Sequence, residues 1–305
     1  MADNRLPVSN RQNYPDMIEL RQAAAAVHAK ALRVETSRVA ISLLLAISGI
    51  LAAFIRGTAP PIAIAGALWA VALAVGINPW VKGLAKNAAI LQEMFDVELF
   101  GLPWNKTICG NPLAHYEYVE LARKFPVRGQ RLERLRDWYV NVNEIPQPYD
   151  VLFCQLQNLV WDARLRRRWA RIVLTSILSW IVLGILVGYI ADLSVKETLI
   201  GWYLPAMGAF LLGLDNYRGQ LEISSERERV AQLVHSELDR AKRPPLSKAE
   251  LRELRKSARE IQDVILVTRK HTARVPDWFY RRYRPGDESD FQASAETLKR
   301  KLNSA

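Results

Sequence analysis

Residues Tyr149 to Ala191 read YDVLFCQLQNLVWDARLRRRWARIVLTSILSWIVLGILVGYIA, and this stretch decides the fold. Its first half is amphipathic and ends in Arg164, Arg166, Arg167, Arg168 and Arg171. Its second half, Ile172 to Ala191, is twenty residues without a charge. At about 1.5 Å rise per residue, twenty apolar residues reach about 30 Å, the thickness of a bilayer's hydrocarbon core. The preceding half cannot lie in lipid. The pattern predicts one long helix that leaves a membrane and enters a soluble module.

Three further charge-free runs flank it: Val39 to Ile55, Gly57 to Val81 and Thr198 to Leu214. Four such runs in one chain point to transmembrane segments rather than buried core helices. Thirty-eight mostly polar residues precede the first run and no small-residue cleavage site follows it, which argues against a signal peptide. The predicted fold is an all-α membrane protein with four transmembrane helices continuing into a cytoplasmic helical module. The expected division is 1–38, an N-terminal cytoplasmic helix; 39–81, the first transmembrane hairpin; 82–171, a central cytoplasmic module; 172–214, the second hairpin; and 215–305, a C-terminal cytoplasmic module.

Of 42 Lys and Arg, only Arg56 and Lys196 fall between paired spans. The positive-inside bias then places both termini and the central segment in the cytoplasm of a multi-pass inner-membrane protein. The formal net charge of +11 is explained by a basic face against anionic headgroups, with no nucleic-acid polymer expected as partner. Cys109 and Cys154 fall on the reducing side and are expected as free thiols.

Local signals mark the ends of elements. Residues 1–14 read as unstructured. Asp16 and Glu19 suit a helix N-terminus whose helix runs unbroken into the first span. Asn78-Pro79 predicts a restart or kink, and Pro205, in the middle of the fourth run, predicts a kink. Ser194/Glu197 and Ser247/Glu250 have capping-box spacing. Leu113 to Tyr139 reads as an amphipathic helix interrupted near Pro126. The helix opened at Ser247 should run to about Arg274, after Pro244 and Pro245 end the one before it. VPDWFYRRYRPGDE reads as a turn region followed by a short frayed helix. Gly66, Ala70 and Ala74, Gly184 with Gly188, and Ala209 with Gly213 form small-residue ridges suited to close helix contacts.

No catalytic or metal-binding motif appears: His28, His115, His235 and His271 are scattered, and H-E-x-x-H, C-x-x-C, a phosphate loop and a nucleophile elbow are all missing. The sequence therefore predicts no enzyme, no metal and no cofactor. The charge-free runs carry no Asp, Glu, Lys, Arg or His, which disfavours an ion-coupled pump. A ligand site is expected in the C-terminal part, at Arg269, Trp278, Tyr280, Arg281, Arg282 and Arg284. Aromatic faces stack on bases there and arginine forks clamp phosphates. The same residues also suit a packed core with arginines turned to lipid.

The segments QEMFDVELFGLPWN, DWYVNVNEIPQPYD, CQLQNLVWDARLRRRW, REIQDVI and VPDWFYRRYR carry, in order, a resemblance to the SMODS-associated four-transmembrane effectors, membrane proteins of bacterial cyclic-oligonucleotide antiphage signalling. The matching positions include Gln92, Glu93, Asp96, Trp104, Asn105, Trp138, Tyr139, Gln155, Asn158, Trp161, Asp162 and Arg166. In the C-terminal part they are Gln262, Asp263, Pro276, Asp277, Trp278 and Tyr280. The resemblance assigns these positions no individual role. It implies an effector activated by a cyclic di- or oligonucleotide that forms homo-oligomers and opens a pore or disrupts the inner membrane in abortive infection. A membrane-anchored scaffold that recruits a cytosolic partner without a pore is the alternative.

Overall fold

The structure, a computed structural model, describes residues 6–53, 55, 57–241, 245–271 and 275–304. Arg56, Pro244 and Arg274, named above, lie outside them. The described residues are helical, with no strand among them. Among the described residues, three helices are long and apolar enough to cross a membrane. They are α2 (Pro15–Ala53), α3 (Ala59–Ala72, continued by a π turn at Leu73–Ile77) and α8 (Tyr149–Ile190). A fourth apolar segment is broken: α9 (Val195–Thr198) and a π turn at Leu199–Tyr203 meet α10 (Met207–Asp239) at a 65° bend.

The restart expected at Asn78-Pro79 is the start of α4 (Asn78–Phe100), entered through the π turn. The chain there relaxes one helical turn instead of breaking, because proline at the second helical position needs no donor. Arg38, buried in α2, pairs with Glu35 and donates to Asn78 Oδ1 at 2.5 Å, which ties α2 to the head of α4. Ser194 and Glu197 form the expected reciprocal cap, as do Ser247 and Glu250 at α11 (Lys248–His271).

Pro205 sits at the bend, gripped by two glycines. A Cβ on Gly49 of α2 would lie 2.5 Å from Pro205 Cγ, and one on Gly66 of α3 would lie 2.7 Å from Pro205 Cα. Gly184 meets Trp202 in the same way. Small residues let the broken segment approach three helices at backbone distance. The opposite sides of these helices expose Leu44, Leu68, Val75, Ile185 and Tyr189, an apolar surface suited to lipid.

Beyond the apolar helices, α2, α4, α8, α10, α11 and α12 (Asp277–Ser304) share one core built from Met17, Phe95, Leu152, Leu159, Val234, Ile265 and Phe291. The N-terminal, central and C-terminal segments thus form a single packed unit. Three sequence expectations are corrected. Residues 1–14 are not wholly unstructured, since α1 (Val8–Arg11) packs its buried Val8 into this core. The region 113–139 holds only α6 (His115–Lys124) and a single turn, α7 (Gln130–Glu133), before an irregular segment whose Leu135, Tyr139 and Val140 are buried. VPDWFYRRYRPGDE is not a turn. It opens α12, which continues through Pro285 because Phe279, Phe291, Ala295, Leu298 and Leu302 bury one helical stripe.

Candidate functional site

Between the apolar helices and this core lies a cavity of about 810 Å³, lined by α2, α4, the irregular segment, α8, α10, α11 and α12. Its dominant feature is three aromatic rings in nearly parallel planes. Trp161 and Tyr280 have centroids 5.5 Å apart and planes 6° apart. Trp138 lies 6.3 Å from each, tilted by 12° and 11°. Arg21 covers Trp138, its guanidinium carbon 4.4 Å from the ring centroid.

The placement of Trp138 has a local cause in the N-terminal residues. Gln12 and the Tyr139 backbone exchange two hydrogen bonds, Nε2 to carbonyl at 3.1 Å and N–H to Oε1 at 2.9 Å. Asn13 does the same for Asp137, with Nδ2 donating to Oδ1 at 2.8 Å and the Asp137 N–H donating to Asn13 Oδ1 at 3.0 Å. Asp137 has φ 45°, a strained value that these bonds hold in place.

Around the rings the wall is basic. Arg21, Arg33, Arg134, Arg166, Arg227 and Arg269 face the cavity with Arg281 and Arg284, against only three acids, Glu35, Asp96 and Asp162. The acids are engaged. Asp96 accepts from Tyr139 Oη at 2.8 Å, Gln262 Nε2 at 3.1 Å and Arg269 at 2.6 Å. Asp162 pairs with Arg166 and, at 3.1 Å, with Arg227. Burial pushes the Asp162 carboxyl up, but these two guanidiniums outweigh it and hold it at about 2. Burial also lowers Arg227 to about 10, against the pull of Asp162. Arg134 and Arg281 have no carboxylate partner among the described residues. Charge therefore exceeds what the protein itself neutralises, which leaves the cavity attractive to an anion.

The sequence-proposed residues divide into three groups. Arg269, Tyr280, Arg281 and Arg284 line the cavity, as do Gln92, Asp96, Asn158, Trp161, Asp162 and Arg166. Trp278 and Arg282 do not: Trp278 is 58% exposed and sets its ring edge against Trp169 and Phe279, and Arg282 is exposed. On α12 these two positions point away from the wall that Tyr280 faces.

The third group forms a buried polar network behind the wall. Glu93 accepts from Arg259 at 2.6 Å and from Gln262 at 2.8 Å, and burial pushes its carboxyl up. Gln155 donates to Gln262, Arg259 also pairs with Asp263, and Asp263 accepts from Asn105. Trp104 donates to the Gly110 carbonyl and packs beside Cys109, the last residue of α5 (Lys106–Cys109). Cys109 and Cys154 are both free and buried.

Arg21, Arg134, Gln157 and Arg227 were missed by sequence reasoning. A signal existed for two of them. Arg227 shares the buried stripe of Gln220, Ile223, Ser224, Val230 and Val234 on α10, and Arg21 follows Met17 and Leu20 on α2. A charge on a buried helical face needs a partner or a ligand.

The sequence profile of the SMODS-associating 4TM effector domain matches residues 7–298. This chain belongs to that effector family. A probable CBASS effector molecule of Bacillus cereus (strain VD146) is 27% identical over 300 residues, covering 95% of this chain and 98% of its own. No solved structure matches. As a member of the 4TM effectors, the chain is a membrane effector of antiphage defence, and the family domain is not a known catalytic one.

Proposed function

We propose that this effector is switched on by a cyclic oligonucleotide bound in the cavity beneath the membrane, and that it then assembles into homo-oligomers that breach the bilayer. The observation that carries the proposal is the joint lining of one cavity by three parallel aromatic rings and eight arginines. Aromatic faces accept any planar base, and guanidinium forks grip phosphates bidentately. A ligand with both groups closed in a ring is recognised by both at once. The volume lies within the range of about 300–1,000 Å³ usual for ligand pockets.

The concentration of Lys and Arg outside the paired-span connections supports a cytoplasmic cavity and cytoplasmic termini, with the broken segment counted as a fourth pass. Within one chain the apolar helices pack their small residues on one another, with Pro205 wedged between Gly49 and Gly66. A water path is therefore built between copies or by moving that wedge. The exposed apolar helix faces supply the surface on which copies meet in lipid.

The test is dye release from liposomes carrying the full-length protein, titrated with cyclic di- and trinucleotides, alongside direct binding of the same ligands. Release that saturates with one ligand supports the proposal. Ligand binding without release refutes the pore and points to a scaffold, and absence of both removes the nucleotide reading.

A further inference from the structure

Most polar groups on the cavity wall are engaged within the protein; besides Arg134 and Arg281, a ring N–H and a carboxamide are not, among the described residues. Trp161 is only 6% exposed, and its indole Nε1 is buried with no acceptor. Gln92, half-buried on α4, faces the same cavity and has no hydrogen-bond partner among the described residues. Their neighbours differ. Gln157 Oε1 accepts from the Val140 N–H at 3.2 Å, Asn158 Oδ1 accepts from Arg227 at 3.2 Å, and both wall aspartates are held by arginine. Buried donors are seldom left unpaired, because water given up is not replaced. An idle indole N–H and an idle carboxamide beside a stack of rings have the composition of a base-reading edge.

We infer that the cavity reads an adenine base of its ligand, with Gln92 and Trp161 as the residues that determine specificity. The inference rests on the cyclic-oligonucleotide reading above. A carboxamide offers one acceptor and one donor side by side, which match the N6 amino group and N7 of adenine. Guanine presents two acceptors on that edge, which suit an arginine fork rather than an amide. The Trp161 N–H, in the plane of its ring, supplies a further donor for an adenine ring nitrogen, while the parallel face of Tyr280 takes the purine by stacking. Arg134 and Arg281, with no carboxylate partner among the described residues, are left for the phosphates.

The experiment is calorimetric binding of cyclic diadenylate, cyclic diguanylate and cyclic diuridylate to full-length protein in nanodiscs, with Gln92→Ala, Gln92→Glu and Trp161→Phe measured beside the wild type. Trp161→Phe keeps a smaller aromatic face and removes the N–H together with the fused five-membered ring. The adenine ring should bind at least about 10-fold tighter than the others, as one bidentate base contact provides. Each variant should lose about 10-fold of that preference, read as the ratio of adenine-ring to non-adenine-ring affinity within the same variant. Tightest binding of the guanine or uracil ring, equal binding of all three, or a preference untouched by all three variants overturns the inference while leaving the ligand class standing. Silence of the wild type with every ring overturns both.

Discussion

Trp161 on α8 and Tyr280 on α12 lie 119 positions apart in the chain, yet their rings face each other 5.5 Å apart and 6° from parallel. Neither helix makes this surface alone. If it is the stacking platform, Tyr280→Ala should weaken cyclic-nucleotide binding by about 5- to 150-fold, the range of one base–aromatic stack. Tyr280→Phe should bind within about 3-fold of wild type. Equal losses in both variants, measured by calorimetry, would move the effect from the ring to the hydroxyl.

Charge gives a second discrimination. Arg134→Ala and Arg281→Ala should each weaken binding by about 10-fold or more, as loss of a charged hydrogen bond does, and should flatten its salt dependence. Arg282→Ala, one residue further along α12 but off the cavity, should leave affinity unchanged. Binding isotherms at low and high salt separate the three.

Asp162 has a structural role that pH exposes. Its folded carboxyl titrates near 2 and its usual value is 3.8, so it contributes about 2 kcal/mol of stability above pH 3.8, which is lost as pH falls toward 2. Asp162→Asn should destabilise the protein by about 3–5 kcal/mol near neutral pH, since the buried Arg227 loses its partner. Thermal unfolding in detergent should show that gap narrowing as the wild type is acidified.

Within the membrane, Gly66→Ala places a methyl 2.7 Å from the Pro205 backbone, where no flexible side chain can yield. Overpacking of this kind costs about 1–3 kcal/mol. The variant should melt earlier, and any activity that depends on the bent segment should change in dye release while ligand affinity stays level.

Much of this architecture was readable in the chain because its signals are local. The length of the apolar runs, the caps at Ser194 and Ser247 and the bend at Pro205 depend on neighbours within a turn or two. The helix through Pro285 was not readable, because its stripe from Phe279 to Leu302 is paid for by distant partners such as Phe153. The site was legible in part. Arginines and aromatics near residue 280 announced themselves by composition, but which of them turn inward depends on helical phase against a core invisible in the sequence. Trp278 and Tyr280 are two residues apart and end on different sides of α12. The pinning of Trp138 by Gln12 and Asn13 pairs residues over a hundred positions apart, beyond any periodic signal.

The unbroken course of α8 has a mechanical consequence. Its 42 residues make a rod about 63 Å long, with Trp161 about a third of the way along and Ile190 at the far end. From Trp161 to Ile190 is about 44 Å at the same rise. A swing of about 5° pivoting at the aromatic stack moves the far tip by about 4 Å, close to the width of a water molecule and its contacts. Under the function proposed above, no hinge along α8 is needed to carry news of an occupied cavity to the apolar end: the helix acts as a pointer whose needle end amplifies what its pivot feels.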